Sequence, residues 1–326
     1  MDGSVRVRVP ATSANLGPGF DALGLALFLH DMVEARTDRP GLTIEVAGEG
    51  EATAGAGERH LVVRAMRATF DMLDGQPPGL ALRCANRIPH GRGLGSSAAA
   101  IVSGILAARA LTDGGADRLP LDAALKLATA IEGHPDNVAA CLFGGLTIAW
   151  TGDDGAAAIR LAPLHTIVPA VLVAPEPLST EAARGVLPSS VPHADAAANA
   201  ARSALLVAAL TSAPHALLEA TRDWLHQPYR AGVMPVTADL VGRLRGAGVP
   251  AVVSGAGPSV LAFLVKPGTA AGSPDAGFRA ASLDVLDSTT REMGIDWDIS
   301  VLDVDRRGAS IQSVTPGSVP AGGTLT

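Results

Sequence analysis

Aromatic residues are scarce, at 3% of the 326-residue chain: six phenylalanines, three tryptophans and one tyrosine. So few rings offer no stacking surface for the bases of a polynucleotide. A formal net charge of −7 likewise lacks the basic footprint of a nucleic-acid binder, although a local basic pocket for an anionic substrate remains compatible with it. Only two cysteines occur, Cys84 and Cys141. Neither sits in a metal-ligand or Cys-x-x-Cys spacing, so a disulfide framework is excluded and two small core residues in a reducing compartment are expected. The eight histidines are scattered, which argues against structural zinc. No apolar run reaches the ~20 residues of a membrane span. The alternating stretch Val5-Arg-Val-Arg-Val9 has no apolar signal segment before it. These absences point to a cytoplasmic enzyme with neither nucleic-acid nor membrane partners.

What is present is core: 48% of residues are hydrophobic and 17% charged, enough for two packed domains. Alternation and turn residues predict strands over 5–9, 42–47 and 80–86. A helix is expected over 60–73, with Val62, Val63, Met66, Phe70 and Leu73 on one stripe, and another over 96–111. Pro120 opens a third helix, which ends near Glu132-Gly133. A strand over 144–150 leads into a hairpin at Gly152-Asp-Asp-Gly155. The second half predicts strands over 170–174, 251–254, 260–265 and 297–304, and helices over 181–186, 195–211, 214–224, 236–245 and 278–293. Irregular connections favour an α+β class over a doubly wound sheet. The expected division is 1–165, 166–306 and a disordered tail over 307–326, where serine, glycine, proline and threonine dominate.

The densest chemistry lies in Ile88-Pro-His-Gly-Arg-Gly-Leu-Gly-Ser-Ser-Ala-Ala-Ala100, where three alternating glycines and two serines open an alanine-rich helix. Glycines permit backbone angles closed to other residues, and the free amides and dipole of a helix N-terminus attract an anion. The segment therefore reads as a phosphate cradle. It is not a Walker loop, because no lysine precedes Ser96 or Ser97. A dinucleotide fingerprint would need glycine at Ser96, and Asp113 sits in a turn followed by another helix, so that reading is weak too. A tight strand-to-helix turn with serine caps is the plain structural alternative.

Three further segments carry polar density. Pro10-Ala-Thr-Ser-Ala-Asn-Leu-Gly-Pro-Gly-Phe-Asp-Ala-Leu-Gly24 offers Asn15 and Asp21 for a polar or cationic substrate group, or as turn caps. Ile131-Glu-Gly-His-Pro-Asp-Asn-Val138 offers Glu132 as a hard oxygen ligand that Ser97 or Ser96 could complete for Mg²⁺. In the same segment Asp136 suits an ammonium or a proton, and Asn137 suits a hydroxyl, against an Asx-capped turn as the alternative. Val253-Ser-Gly-Ala-Gly-Pro-Ser-Val260 is another glycine turn between strands. Arg184 and Arg230 supply forked donors of the kind that hold carboxylate or phosphate, though surface arginines are usually just solvated.

These segments, in this order, resemble the three motifs of the galactokinase, homoserine kinase, mevalonate kinase and phosphomevalonate kinase (GHMP) superfamily. The block Pro89 to Ala99 is the most specific of them, and the match is nearest to the homoserine kinase branch through Ala11 to Asp21, Glu132-Gly-His-Pro-Asp-Asn137 and Ser254-Gly-Ala-Gly-Pro-Ser259. The resemblance implies a GHMP kinase fold, with an N-terminal ribosomal-protein-S5-like ATP-binding domain and a C-terminal ferredoxin-like domain. It implies transfer of the ATP γ-phosphoryl group to the hydroxyl of L-homoserine, on the route to threonine, with Mg²⁺. Pro89, Gly91, Arg92, Gly93, Leu94, Gly95, Ser96, Ser97 and Ala98 would then hold the nucleotide, and Ser97 and Glu132 the metal. Asn15, Asp21, His134 and Asp136 would surround the amine end, while Thr180, Arg184, Arg230 and Gly257 would serve the carboxylate end and the pocket around it. Asp136, Asn137 and Glu132 would carry the catalytic roles, Asn137 by orienting the attacking hydroxyl. Many relatives have a glutamate where this chain has Ala130, so either Glu132 itself binds Mg²⁺ or the metal shell is thinner here. A homodimer is the family expectation. A mevalonate-type small-alcohol kinase and a noncatalytic binding relative are the alternatives.

Overall fold

Val5, Val7 and Val9 are buried while Arg6 and Arg8 between them are partly exposed, so the alternation at the start of the chain does build a strand with one covered face. This strand, β1 (Ser4–Ala14), runs antiparallel to β2 (Leu23–Arg36). The computed structural model describes residues 4–37, 40–73, 75–267 and 275–314. Sequence reading placed no strand at β2. Its first five residues are buried on both faces, which erases the period of two.

β2 is long enough to serve two partners on one edge. Met32 to Arg36 pair with β4 (Gly79–Asn86), and Leu23 to Leu25 pair with β5 (Leu146–Gly152). β3 (Gly41–Gly48) joins β4 in parallel, and β6 (Gly155–Leu161) forms the hairpin with β5 expected at 152–155. The helices α1 (Leu61–Met72), α2 (Ser96–Leu111), the short α3 (Gly115–Arg118), α4 (Leu121–Glu132) and α5 (Asp136–Phe143) belong to this half of the molecule. Ten residues of α2 are buried, because its alanine-rich surface lets neighbouring elements approach on all sides. α5 also went unread in the sequence, where 131–138 looked like a dense turn.

The second sheet contains β7 (Ile167–Val173), β8 (Ala251–Val253), β9 (Val260–Val265) and β10 (Asp298–Val301), in the antiparallel order β10-β7-β9-β8. Between β7 and β8 run α6 (Thr180–Gly185), α7 (His193–Thr211), α8 (Leu217–Ala220), α9 (Gln227–Arg230) and α10 (Pro235–Gly246), and α11 (Asp275–Arg291) joins β9 to β10. Chain order and strand order together are ferredoxin-like. The fold is α+β.

Three expectations change here. The helix predicted over 214–224 stops at Ala220. The Asp223 carboxylate then captures the backbone N–H groups of Leu225, His226 and Gln227, starting α9 instead. The tail predicted from 307 is not a tail over its first residues: β11 (Ser310–Val314) pairs along the free edge of β1. Its composition is loop-like, and only the unpaired edge it meets makes it a strand. Residues 315–326 lie outside the described residues. The expected strand over 297–304 is also divided, since β10 ends at Val301 and Val304 bridges to Leu27 of the first sheet.

Asp305 clasps that return. Its buried carboxylate accepts from the His30 ring at 2.5 Å and from the N–H groups of Arg307 and Gly308, each at 2.8 Å. Burial alone would raise its pKa, but the His30 hydrogen bond and the two amides hold it below the usual carboxylate range. Asp305→Ala is expected to cost about 2 kcal/mol in urea unfolding, because it orphans buried donors. Since the folded value is depressed, the clasp contributes fully above the ordinary aspartate value of about 3.9 and is lost as pH falls through its lower folded value. Among the described residues no helix is long and apolar enough to cross a membrane.

Candidate active site

Gly91, Gly93 and Gly95 all take left-handed backbone angles, at φ 65°, 72° and 69°. Gly93 has a second constraint. A Cβ there would overlap the Ser254 carbonyl and come within 2.9 Å of the Gly257 carbonyl, so the glycine loop and the 254–259 turn touch backbone to backbone. Ser254 fastens the contact by donating to the Gly93 carbonyl at 2.7 Å. The loop ends at Gly95, and α2 begins at Ser96, as the sequence predicted.

Beneath the loop lies a cavity of about 220 Å³ that gathers residues from six separate stretches of chain. At the end nearest α2, the Ser97 hydroxyl donates to Glu132 at 2.5 Å. Burial raises the Glu132 pKa, partly offset by that hydrogen bond and by His134. On the acidic side His134 donates to Asp136 at 2.8 Å, and the N–H of Asn137 donates to the same oxygen at 2.7 Å. Burial would lower the His134 pKa, but Asp136 and Glu132 raise it overall. Thr12 donates to Oδ1 of Asn137 at 2.7 Å, which leaves the Asn137 Nδ2 group as the donor the side chain can offer.

The opposite wall is cationic. Arg184 forks onto Asp21, with nitrogen–oxygen distances of 2.6 and 3.2 Å. Arg230 is 1% exposed and donates only to neutral acceptors: the Ala183 carbonyl at 3.0 Å, the His226 ring at 3.0 Å and the Gly255 carbonyl at 3.3 Å. Among the described residues no carboxylate forms an ion pair with it. Burial, with the neighbouring Arg184 charge, brings its pKa down to about 10. Both guanidiniums lie 5.6 Å from the Phe20 ring centroid.

Most of the residues expected at the site do converge here. Asn15, Gly91, Gly93, Leu94, Gly95, Ser96, Ser97, Glu132, His134, Asp136, Asn137, Thr180, Arg184, Arg230 and Gly257 all line the cavity, and Asp21 reaches it through Arg184. Ala98 is buried in α2. Asn15 accepts from the Asp21 N–H at 3.0 Å and donates one amide hydrogen to Gly255 at 2.8 Å, so it also holds the loop in shape. Asn15, Leu16 and Asp21 all have positive φ, strain of the kind that collects at functional loops.

Two expected nucleotide residues turn elsewhere. Arg92 donates to the Pro175 carbonyl at 2.6 Å, and with Pro89 it lines a different cavity of about 730 Å³. Its side chain is held by a carbonyl in the loop after β7, 83 residues away, which no local pattern announces. The sequence reading also missed Thr12, Phe20 and His226. His226 had one legible signal, lying one helical turn before Arg230.

A further cavity of about 330 Å³ adjoins the first, and Ser96 and Ser97 line both. Its walls include Val33, Leu61, Val62, Ala99 and Ala100, with Asp31, Arg59, His60, Asn86 and His90 among its polar groups. An apolar slot, a glycine-rich anion loop and a small polar pocket thus follow one another along α2.

Fold and site together define a GHMP-type kinase, and residues 60–145 match the family profile of the GHMP kinases N-terminal domain. The chain is 56% identical to the homoserine kinase of Streptomyces coelicolor, over 97% of this chain and 96% of that protein. It is 51% identical to the homoserine kinase of Clavibacter michiganensis, again over 97% and 96%. The chain belongs to the homoserine kinase family. The crystal structure of homoserine kinase from Cytophaga hutchinsonii shares its fold at a TM-score of 0.77 and 26% identity, covering 96% of this chain and 98% of that one. Phosphomevalonate kinase from Streptococcus pneumoniae, at 14% identity, a TM-score of 0.65 and coverage of 92% and 99%, shares the fold alone.

Proposed function

We propose that this chain transfers the γ-phosphoryl group of ATP to the side-chain hydroxyl of L-homoserine. The observation that carries this reading is Arg230, a buried cation without a counter-ion, facing a small cavity whose other wall is acidic. A guanidinium removed from water is costly unless an anion joins it. A substrate carboxylate supplies that anion, and Asp136 and Asp21 accept the ammonium of the same molecule.

Before substrate arrives, Asp21 and Arg184 hold each other. A zwitterion can replace both ends of that ion pair at once, its carboxylate on Arg184 and Arg230 and its amine on Asp21. An alcohol bearing only one charge separates the pair and leaves one member uncompensated. This is selection by unpaired charge rather than by shape.

The apolar slot suits the nucleoside, which lays the phosphates across the glycine loop toward the amides at the start of α2. The γ-phosphate would then emerge beside Ser97 and Asn137. Ser97 and Glu132 are hard oxygen donors 2.5 Å apart and fit a magnesium ion that keeps phosphate oxygens and waters as its other ligands. Among the described residues no cluster of three or more His, Cys, Asp or Glu offers a complete protein cage. When bound, the ion supplies charge neutralisation for the phosphates. The Asn137 Nδ2 group donates to the reacting oxygens, and its orientation is fixed by Thr12. Asp136, with one oxygen already taken by two donors, serves the amine and need not act as a strong base, since loose phosphoryl transfer depends on alignment and charge.

An ADP-release assay over a panel of alcohols tests the reading. Homoserine is expected to be turned over, and mevalonate and galactose are not; equal turnover with mevalonate would overturn it. In the same panel Asp21→Asn is expected to weaken homoserine more than its carboxylate-only analogue 4-hydroxybutyrate, narrowing the preference by about tenfold. An unchanged ratio would show that the Asp21–Arg184 pair plays no part in selection.

A further inference from the structure

His226 is wholly buried and lies outside every role assigned above. Its Nε2 is 2.8 Å from the Gly17 carbonyl, and its Nδ1 is 3.0 Å from an Arg230 nitrogen. A carbonyl can only accept and a guanidinium can only donate. The two contacts therefore fix the ring as the neutral Nε2–H tautomer, with Nδ1 as an acceptor. Burial lowers its pKa, in agreement with that neutral state.

Each neighbour contributes to the placement. Asp223 captures the N–H groups that start α9, which puts His226 and Arg230 one turn apart, and its carboxylate stands 3.5 Å from Nε2. Gly17 can present its carbonyl because it has no side chain: a Cβ there would lie 2.8 Å from the Thr221 carbonyl. Phe20 packs against the ring, centroid to centroid at 5.3 Å. The other acceptors of Arg230 are main-chain carbonyls, so among the described residues His226 is its one side-chain acceptor.

We infer that His226 is a positioning residue for substrate recognition: it links the loop carrying Asp21 to the Arg230 fork, and so sets the spacing between the anionic and cationic halves of the site. This rests on the homoserine reading. A protonated ring would lose the acceptor, and an Nδ1–H tautomer would break both contacts. Either would release the guanidinium that receives the carboxylate.

Two variants separate the two bonds. The Oδ1 of His226→Asn stands where Nδ1 stood and keeps the acceptor for Arg230. The side-chain amide of His226→Gln reaches toward Gly17 and gives that acceptor up. Steady-state kinetics are expected to show the homoserine KM raised about tenfold in His226→Gln and within about threefold of wild type in His226→Asn, with kcat and the ATP KM little changed in both. Equal homoserine KM values for the two variants, or homoserine and ATP KM values rising together, would overturn the assignment. Should either variant fail to fold, ¹⁵N spectroscopy of the wild-type ring decides: an Nε2–H tautomer whose Nδ1 signal moves on adding homoserine but not ADP supports it, and an Nδ1–H or doubly protonated ring, or an Nδ1 signal unmoved by homoserine, overturns it. Wild-type turnover of homoserine tests the underlying function separately.

Discussion

Arg230→Met is expected to raise the KM for homoserine by about 100-fold, because a charge-assisted, forked contact to the substrate carboxylate is lost together with a buried charge that calls for it. Its effect on stability should be much smaller. The wild-type protein bears the cost of burying a guanidinium among neutral acceptors, and methionine removes that cost while leaving two carbonyls and the His226 ring short of a donor. The two contributions oppose each other, so the unfolding midpoint should move by only a few degrees, roughly the shift that 1 kcal/mol produces. A sharper check uses 3-aminopropan-1-ol, which is homoserine without its carboxylate. Wild type should discriminate strongly between the two alcohols, and the variant much less, with Arg184 supplying what remains. If discrimination is unchanged in the variant, the carboxylate is bound elsewhere.

Asn137→Ala should instead reduce kcat, by about 100-fold, with smaller changes in the KM of either substrate, since a donor aimed at the reacting oxygens acts mainly in the transition state. Thr12 gives this prediction an internal control. It donates to Asn137 Oδ1 at 2.7 Å, so Thr12→Val frees the amide to turn and should lower kcat by roughly tenfold. The double variant should be no worse than Asn137→Ala alone, because Thr12 acts only through Asn137. Additive losses would mean that Thr12 contributes on its own account.

The two sides of the site differed in how far they could be read from sequence. The phosphate side was legible because its chemistry is local: Gly91, Gly93 and Gly95 take the backbone angles that alternating glycines allow, and α2 starts at Ser96. Ser97 and Glu132, 35 residues apart, were paired by their chemistry as hard oxygen ligands, and the structure brings them to 2.5 Å. The substrate side was legible in its residue types but not in its connections. Asp21 and Arg184 were assigned to opposite ends of a substrate, and the fold shows them bonded to each other across 163 residues. Asn15, expected to touch substrate, lines the cavity, and its amide also ties the loop to Gly255, 240 residues away. Arg92, read as a phosphate ligand by its place in the glycine loop, donates to the Pro175 carbonyl in the loop after β7.

The amino-acid sequence by itself determined the local conformations: the left-handed glycine turns, the start of α2 and most strands and helices with a single buried face. It also determined the inventory of the site, three acids and two arginines in recognisable motifs, because glycine geometry and side-chain chemistry depend on near neighbours. Tertiary structure decided what those groups do. It alone made β2 a strand buried on both faces at its start, turned 310–314 from expected tail into a sheet edge, left Arg230 without a counter-ion and oriented it through His226. These depend on which backbone edges and charges meet after long stretches of chain have closed on one another, and burial, which gives such meetings their energy, is a property of the assembled fold.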